Sequence, residues 1–277
     1  MSFDKLWIGT SWKMNKLRAE ARSFARVLVE SELAYSDAAQ LFVIPPFTAV
    51  ADVADVLAGT QVAVGVQNLH WAEAGPWTGE ISGAMAADCG ATLAEIGHSE
   101  RRVHFGETDE TVARKVAAAL RHGLTPLVCA GDTREEYEAG RTAEVLNRQI
   151  RAAVSLLAFE DAARVVIAYE PVWAIGEGGI PAEPAFADEQ HALLKASLRE
   201  ETGREVRVLY GGSVNERNCV ALSAQPHVDG LFIGRSAWQP EGFVGIVRSV
   251  LASREPTRAS DERSSNRRQI VLRPSGG

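Results

Sequence analysis

Short apolar runs alternate with amphipathic stretches along almost the whole chain, and this alternation constrains the fold more than any other feature. Eight runs read as buried strands: Leu6–Gly9, Leu41–Ile44, Val62–Val66, Leu93–Ile96, Pro126–Cys129, Val165–Ala168, Val206–Leu209 and Gly230–Ile233. Between them lie helical patterns, among them Ala19–Glu30, Glu110–Arg121, Ala143–Val154, Asp188–Glu200 and Phe243–Ala252. Strand runs bounded by helical periodicity predict βα units. Eight such units in about 250 residues fit a closed (β/α)₈ barrel of the TIM type, an α/β architecture in one domain. The alternative is a doubly wound open sheet. It needs a Gly-rich nucleotide turn after the first strand, and Gly9-Thr10-Ser11-Trp12-Lys13 is not one.

The barrel is expected over residues 1–253. From Arg254 to Gly277 the chain carries six Arg against three acids and, apart from Ile270-Val271-Leu272, little that can be buried. That composition predicts disorder, or a short strand docked outside the barrel. The whole chain has a formal net charge of -7, which argues against a nucleic-acid partner. It leaves a small anionic substrate open, because a pocket can be positive on an acidic protein. Cys89, Cys129 and Cys219 are far apart and lack metal spacing, and they read as free thiols in a reducing cytoplasm. The N-terminal residues show no signal-peptide pattern, and no apolar run approaches a membrane span.

The sixth strand run ends in Glu170-Pro171, where the proline stops the strand and stiffens the start of the next loop. The segment Pro171-Val172-Trp173-Ala174-Ile175-Gly176-Glu177-Gly178-Gly179-Ile180-Pro181 has stiff ends and a Gly-rich middle, as a lid requires. Glu170 alone reads better as a strand-end salt bridge. In a barrel, however, the C-terminal strand ends share one rim. Ser11 and Lys13 follow strand one, Gln67 and Asn68 strand three, His98 strand four, and Asp132 and Thr133 strand five. Glu170 follows strand six, Gly211-Gly212-Ser213 strand seven, and Gly234-Arg235 strand eight. Taken singly, Lys13 reads as a solvated lysine, His98 as a surface histidine and Gly211-Gly212 as a tight turn. Separate bland roles do not explain their convergence.

Glycine turns after strands seven and eight let backbone N–H groups approach a phosphate. Base, electrophile, cation and phosphate cradle together suggest proton abstraction beside a carbonyl. Glu170 would take the proton, while His98 and Lys13 would stabilise the enediolate oxygens. The lid would exclude water and restrain loss of phosphate. This chemistry calls for no metal and no organic cofactor.

At these residues the chain resembles the triosephosphate isomerase family. The matching stretches are Trp12-Lys13-Met14-Asn15, Gly97-His98-Ser99-Glu100-Arg101-Arg102, Tyr169 to Gly176 and Tyr210-Gly211-Gly212-Ser213-Val214. Gln67-Asn68 and Thr78-Gly79-Glu80-Ile81-Ser82 match as well, and the resemblance runs from about Lys5 to Ala252. It implies Lys13, His98 and Glu170 as catalytic residues, with Glu100 beside Lys13. It implies phosphate contacts from Gly176, Ser213 and the turn at Gly234. Triosephosphate isomerase is itself the standard example of a Glu base with a neutral His electrophile, so the neutral state of His98 comes from the resemblance. The resemblance further implies a homodimer in which the loop from Asn68 onward enters the neighbouring subunit, with Thr78 near its site and Glu80 pairing with Arg101. Trp71 and Trp77 in that loop are apolar enough to need cover.

Departures from the family pattern lie next to the catalytic residues. Ser11 stands where the family usually has Asn, Asp132 where it has Glu, and Gly234-Arg235 where it has Gly-Gly. The far end of the lid is Gly179-Ile180-Pro181 in place of Lys-Thr-Ala. Through the stretches Gly9-Thr10-Ser11-Trp12-Lys13-Met14-Asn15-Lys16, Gly176-Glu177-Gly178-Gly179-Ile180-Pro181 and Gly230-Leu231-Phe232-Ile233-Gly234-Arg235-Ser236-Ala237-Trp238 the chain is similar to the branch of L-erythrulose-1-phosphate isomerases. Three readings stay open: a tetrulose-phosphate isomerase, an ordinary triosephosphate isomerase with tolerated changes, and a non-catalytic sugar-phosphate binder. Intact Lys13, His98 and Glu170 speak against the binder, which has no need of a base.

Overall fold

A computed structural model describes residues 5–175 and 179–254. Gly176, Glu177 and Gly178, at the expected lid tip, and the tail from Glu255 lie outside the described residues.

The alternation closes as the sequence predicts. Eight parallel strands form a barrel in sequence order. They are β1 (Leu6–Ser11), β2 (Ala39–Ile44), β3 (Ala63–Val66), β4 (Leu93–Ile96), β5 (Thr125–Ala130), β6 (Val166–Tyr169), β7 (Arg207–Tyr210) and β8 (Gly230–Ile233). The helices begin with α1 (Arg18–Glu30), α2 (Val50–Leu57), α3 (Gly83–Asp88), α4 (Ser99–Phe105) and α5 (Asp109–Arg121). They continue with α6 (Arg134–Glu138), α7 (Thr142–Val154), α8 (Pro184–Thr202), α9 (Cys219–Ser223) and α10 (Pro240–Arg254).

The five long helices appear where expected, each starting one to four residues earlier than its apolar period suggests. Polar first turns and caps lie outside that period. Thr108, for instance, caps α5 by accepting the Thr111 N–H, and Pro184 opens α8 at its first turn. The five short helices are missed because five to eight residues hold too little periodicity to read. One of them, α4, starts directly after His98 and so fixes that residue's position. At the other end α10 takes in Arg254, one residue beyond the expected barrel limit, and Arg254 Nη2 donates to the Ser223 carbonyl at 2.6 Å.

Two apolar layers hold the barrel. Helices and the outer strand faces share one, with α5 contributing Val112, Val116, Ala119 and Leu120 at helical spacing. The barrel interior is the other: Phe42, Ile44, Leu93, Leu127, Cys129, Val166, Ala168, Leu209 and Phe232. Phe42 stacks on Phe232 with centroids 5.8 Å apart, and Gly9 leaves the space that the Phe42 ring fills. Each such large side chain stabilises the fold by roughly 1.5–3 kcal/mol on burial. Because side chains fill the interior, a small molecule can enter only at the rim. Among the described residues no helix is long and apolar enough to cross a membrane.

Candidate active site

The rim holds a cavity of about 210 Å³ at the C-terminal strand ends. Ser11, Lys13, His98, Glu170, Ile175, Ser213, Gly234 and Arg235 all line it. These strand-end residues converge, while Gln67, Asn68, Asp132 and Thr133 do not line the cavity.

Lys13 follows β1 with φ at 53°, the left-handed region that a residue with a side chain enters at a cost of about 1–3 kcal/mol. Neighbours hold the loop in that state. Gln67 Nε2 donates to the Lys13 carbonyl at 2.9 Å, and Trp238 Nε1 donates to the Ser11 carbonyl at 3.0 Å. Lys13 Nζ lies 2.6 Å from Glu100 Oε1. Gln67 thus supports the cation. Asn68 instead faces away from the cavity's chemistry, accepting from buried Lys115 Nζ at 2.8 Å.

His98 caps α4. Its Nδ1 accepts the Glu100 N–H at 3.1 Å, which leaves the ring proton on Nε2. Burial, then the Lys13 charge, pushes its pKa down to about 4, so the imidazole is neutral near pH 7. Behind it, Glu107 accepts from the Gly97 N–H at 3.1 Å, Arg101 Nε at 2.8 Å and Lys115 Nζ at 3.1 Å. Arg101 therefore has a partner within its own chain. Thr78 and Glu80 are exposed on the loop after β3, and Trp77 is 46% exposed there. His70 packs between Trp71 and Trp77, with centroids 4.1 and 4.3 Å away.

Glu170 follows β6, and its N–H donates to the Ala130 carbonyl at 2.8 Å. Its carboxylate is buried, and Oε2 has no hydrogen-bond partner among the described residues. Oε2 lies 3.6 Å from His98 Nε2. Burial first, and the charge of Glu95 second, raise the Glu170 pKa to about 8. Gly211 is required here, since a Cβ would stand 2.7 Å from Glu170 Cγ. At Gly234 a Cβ would meet nothing within 4 Å, so that backbone faces open space.

The near end of the lid segment is fastened. Val172–Ala174 form a short 3₁₀ turn, and the Val172 N–H donates to the Asp132 carbonyl at 3.0 Å. The buried Asp132 carboxylate accepts from Thr142 Oγ1 at 2.7 Å and from Tyr169 OH and Trp173 Nε1 at 3.3 Å each. Trp173 stacks on Tyr137 at 4.4 Å. Across the tip, Gly179 packs so tightly on Ala174 that a Cβ would lie 2.7 Å from its carbonyl carbon. Ile180 and Pro181 are exposed.

Glu95 is the residue that sequence reasoning misses. It lines the cavity at 3% exposure, and Ser11 Oγ donates to its Oε2 at 2.7 Å. Burial raises its pKa to about 7, with the Ser11 hydrogen bond acting the other way. The signal exists: in Leu93-Ala94-Glu95-Ile96 the acid has the parity of Leu93, which faces the barrel interior. Trp238, which also lines the cavity, is missed too.

Fold and site together define a (β/α)₈-barrel enzyme whose carboxylate, neutral imidazole and ammonium meet at the strand ends. The pattern of the triosephosphate isomerase family matches residues 6–250. L-erythrulose-1-phosphate isomerase of Rhizobium rhizogenes is 53% identical over 249 residues, covering 90% of this chain and 95% of that protein. The protein of the same name from Brucella abortus biovar 1 is 56% identical over 244 residues, covering 88% and 95%. Triosephosphate isomerase from Bartonella henselae superimposes with a TM-score of 0.80 at 33% identity, covering 88% of this chain and 98% of that one. The chain belongs to the triosephosphate isomerase family and is an isomerase of that family.

Proposed function

We propose that the protein interconverts L-erythrulose 1-phosphate and D-erythrulose 4-phosphate through an enediolate, without a cofactor. Glu170 takes the proton from the carbon beside the carbonyl. His98 donates from Nε2–H to the oxygen that gains charge, and its neutral ring makes it an acid matched to an enediol. Lys13, held by Glu100, adds a positive charge beside both oxygens. The phosphate sits against backbone N–H groups at Ser213 and Gly234, with Arg235 as a second cation. The segment Pro171–Pro181 closes over it and excludes water.

The observation that carries this reading is the pair at the cavity's centre. A buried Glu170 Oε2 with no hydrogen-bond partner among the described residues lies 3.6 Å from His98 Nε2, so the two groups can reach adjacent atoms of one substrate laid across them. The names of relatives 53% and 56% identical support the four-carbon substrate.

The enzyme acts in the cytoplasm as a homodimer. Thr78 and Glu80 reach the neighbouring subunit, where Arg101 receives Glu80. Exposed Met14, Trp77, Val103 and Phe105, on the loops after β1 and β3 and on α4, support that surface. A fully active monomer in sedimentation at ~1 μM refutes the dimer. The tail beyond Arg254 takes no part in the chemistry.

The deciding experiment compares kcat/KM for L-erythrulose 1-phosphate and dihydroxyacetone phosphate. The two ketoses share the phosphate-bearing carbon and the carbonyl, and differ by one CH₂OH on the reacting carbon. The four-carbon ketose is expected to lead by at least ~10-fold, about 1.4 kcal/mol. Equal or better turnover of the three-carbon ketose restores the ordinary triosephosphate isomerase reading.

A further inference from the structure

A carboxylate in the floor of the cavity needs a chemical reason. Beneath it the barrel interior is apolar: Leu93, Leu127, Leu209 and the stacked Phe42 and Phe232. Burying a carboxylate there costs stability unless hydrogen bonds satisfy it. Among the described residues Ser11 is its one hydrogen-bond partner, on Oε2. Catalysis makes the cost worse. An enediolate forming above a bare carboxylate meets a like charge. A site built for a three-carbon ketose gains nothing from such a group.

Its place in the barrel says what it faces. In the closed order β1 to β8, β4 lies four strands from β8 either way round, so the two face each other across the mouth. The glycines of the phosphate cradle follow β7 and β8, and Glu95 belongs to β4. A ketose phosphate anchored at the cradle, with its reacting carbon laid against Glu170, points its far end toward the β4 wall.

We propose that Glu95, held by Ser11, is the specificity-determining residue for the added CH₂OH of a four-carbon ketose phosphate, accepting a hydrogen bond from its terminal hydroxyl. The inference rests on the proposed substrate reading and gives it a residue. Ser11 has a short side chain, which leaves space, and its hydroxyl orients the carboxylate rather than the sugar. The sugar hydroxyl supplies the missing donor, so the carboxylate is satisfied only when the four-carbon substrate is bound. A three-carbon ketose leaves its second oxygen without a donor, and a buried polar atom left unsatisfied is a strong penalty against the wrong substrate.

The test measures kcat/KM of the wild type, Glu95→Gln and Glu95→Leu on three compounds: L-erythrulose 1-phosphate, its 4-deoxy analogue and dihydroxyacetone phosphate. The Gln variant keeps the shape and an acceptor oxygen, so it guards against a Leu variant that does not fold. The wild type should prefer the hydroxylated to the 4-deoxy ketose by about 10- to 100-fold, the scale of a hydrogen bond to a charged group. Glu95→Leu should erase that ratio, and Glu95→Gln should keep a reduced part of it. Any effect through the basicity of Glu170 strikes all three compounds alike and cancels in the ratio. A Leu variant, or a Gln variant where Leu does not fold, that keeps the full wild-type ratio overturns the role of Glu95. A wild type that favours dihydroxyacetone phosphate overturns the substrate reading itself, which separates the two failures.

Discussion

The lower barrel interior and the mouth above it are built from the same strands and buried to the same degree, yet burial does opposite things in them. Below, Leu93 and Leu127 are under 2% exposed and gain from leaving water. Two residues along β4 from Leu93, Glu95 is 3% exposed, and its pKa rises to about 7. Across the cavity Glu170 is 4% exposed and stands near 8. In the lower layer burial stabilises the fold. In the mouth it costs stability and moves carboxyl titration up to near neutral pH, the range a general base requires.

The largest expected effect separates the two layers outright. Glu170→Gln keeps shape and removes basicity, so kcat should fall by at least about 10³-fold, while the fold survives. Leu93→Ala is its counterpart below, costing roughly 3 kcal/mol in denaturant unfolding with kcat kept within severalfold. Steady-state kinetics and unfolding curves on both variants check the contrast. Near-native turnover by the Gln variant would remove Glu170 as the base.

The lower layer is also the more legible one. Its apolar runs set the strand count, order and closure, because a period of two and a run length of four need no tertiary information. The rim residues Lys13, His98 and Glu170 can be placed once the barrel is assumed, since strand ends share one face. Glu95 is hidden because it sits inside an apolar run and reads as part of the strand. Only the closed barrel makes the inward face at that height a cavity floor. The role of Ser11 is half visible: its small size is in the sequence, but the partner of its hydroxyl lies 84 residues away. Arg235 lines the cavity, yet among the described residues its exposed side chain has no partner that explains why it stands where the family has glycine.

A smaller effect sharpens the comparison within the mouth. The Glu95 charge is the second cause raising the Glu170 pKa, after burial. Glu95→Gln removes it, so the acid limb of the kcat/KM profile should move to lower pH. His98, near 4, titrates below this window and stays neutral through it. The linkage sign is fixed by the direction of the shifts. Both carboxyls have folded pKa values above the ordinary value of roughly 4.3. Their contribution to stability is therefore fully present below that value and is lost as pH rises through about 7 and 8. Glu95→Gln should reduce the fall in unfolding free energy between those limits. An unmoved acid limb together with an unchanged stability slope would mean that the two carboxylates do not sense each other.

The smallest effect tests whether every buried carboxylate of the rim belongs to the chemistry. Asp132 is as buried as Glu95, but three side chains donate to it: Thr142 at 2.7 Å and Tyr169 and Trp173 at 3.3 Å. A carboxylate so surrounded has no need of a substrate donor, and its work is mechanical. Asp132 ties the first turn of the lid segment to the barrel, its carboxylate through the Trp173 indole and its backbone carbonyl through the Val172 N–H. Trp173→Phe removes only the indole donor and keeps the stacking on Tyr137 that holds the ring at 4.4 Å. Thr142 and Tyr169 remain to satisfy Asp132, so the fold should hold. The lid loses one anchor, and kcat and KM should shift together by about 3-fold, the scale of a single modest hydrogen bond. The ratio of the four- to the three-carbon ketose should stay put, because Asp132 lies behind the lid rather than on the cavity floor. A Phe variant with altered substrate preference would place Asp132 in the same class as Glu95, and the division of the mouth into one substrate-facing and one mechanical carboxylate would fail.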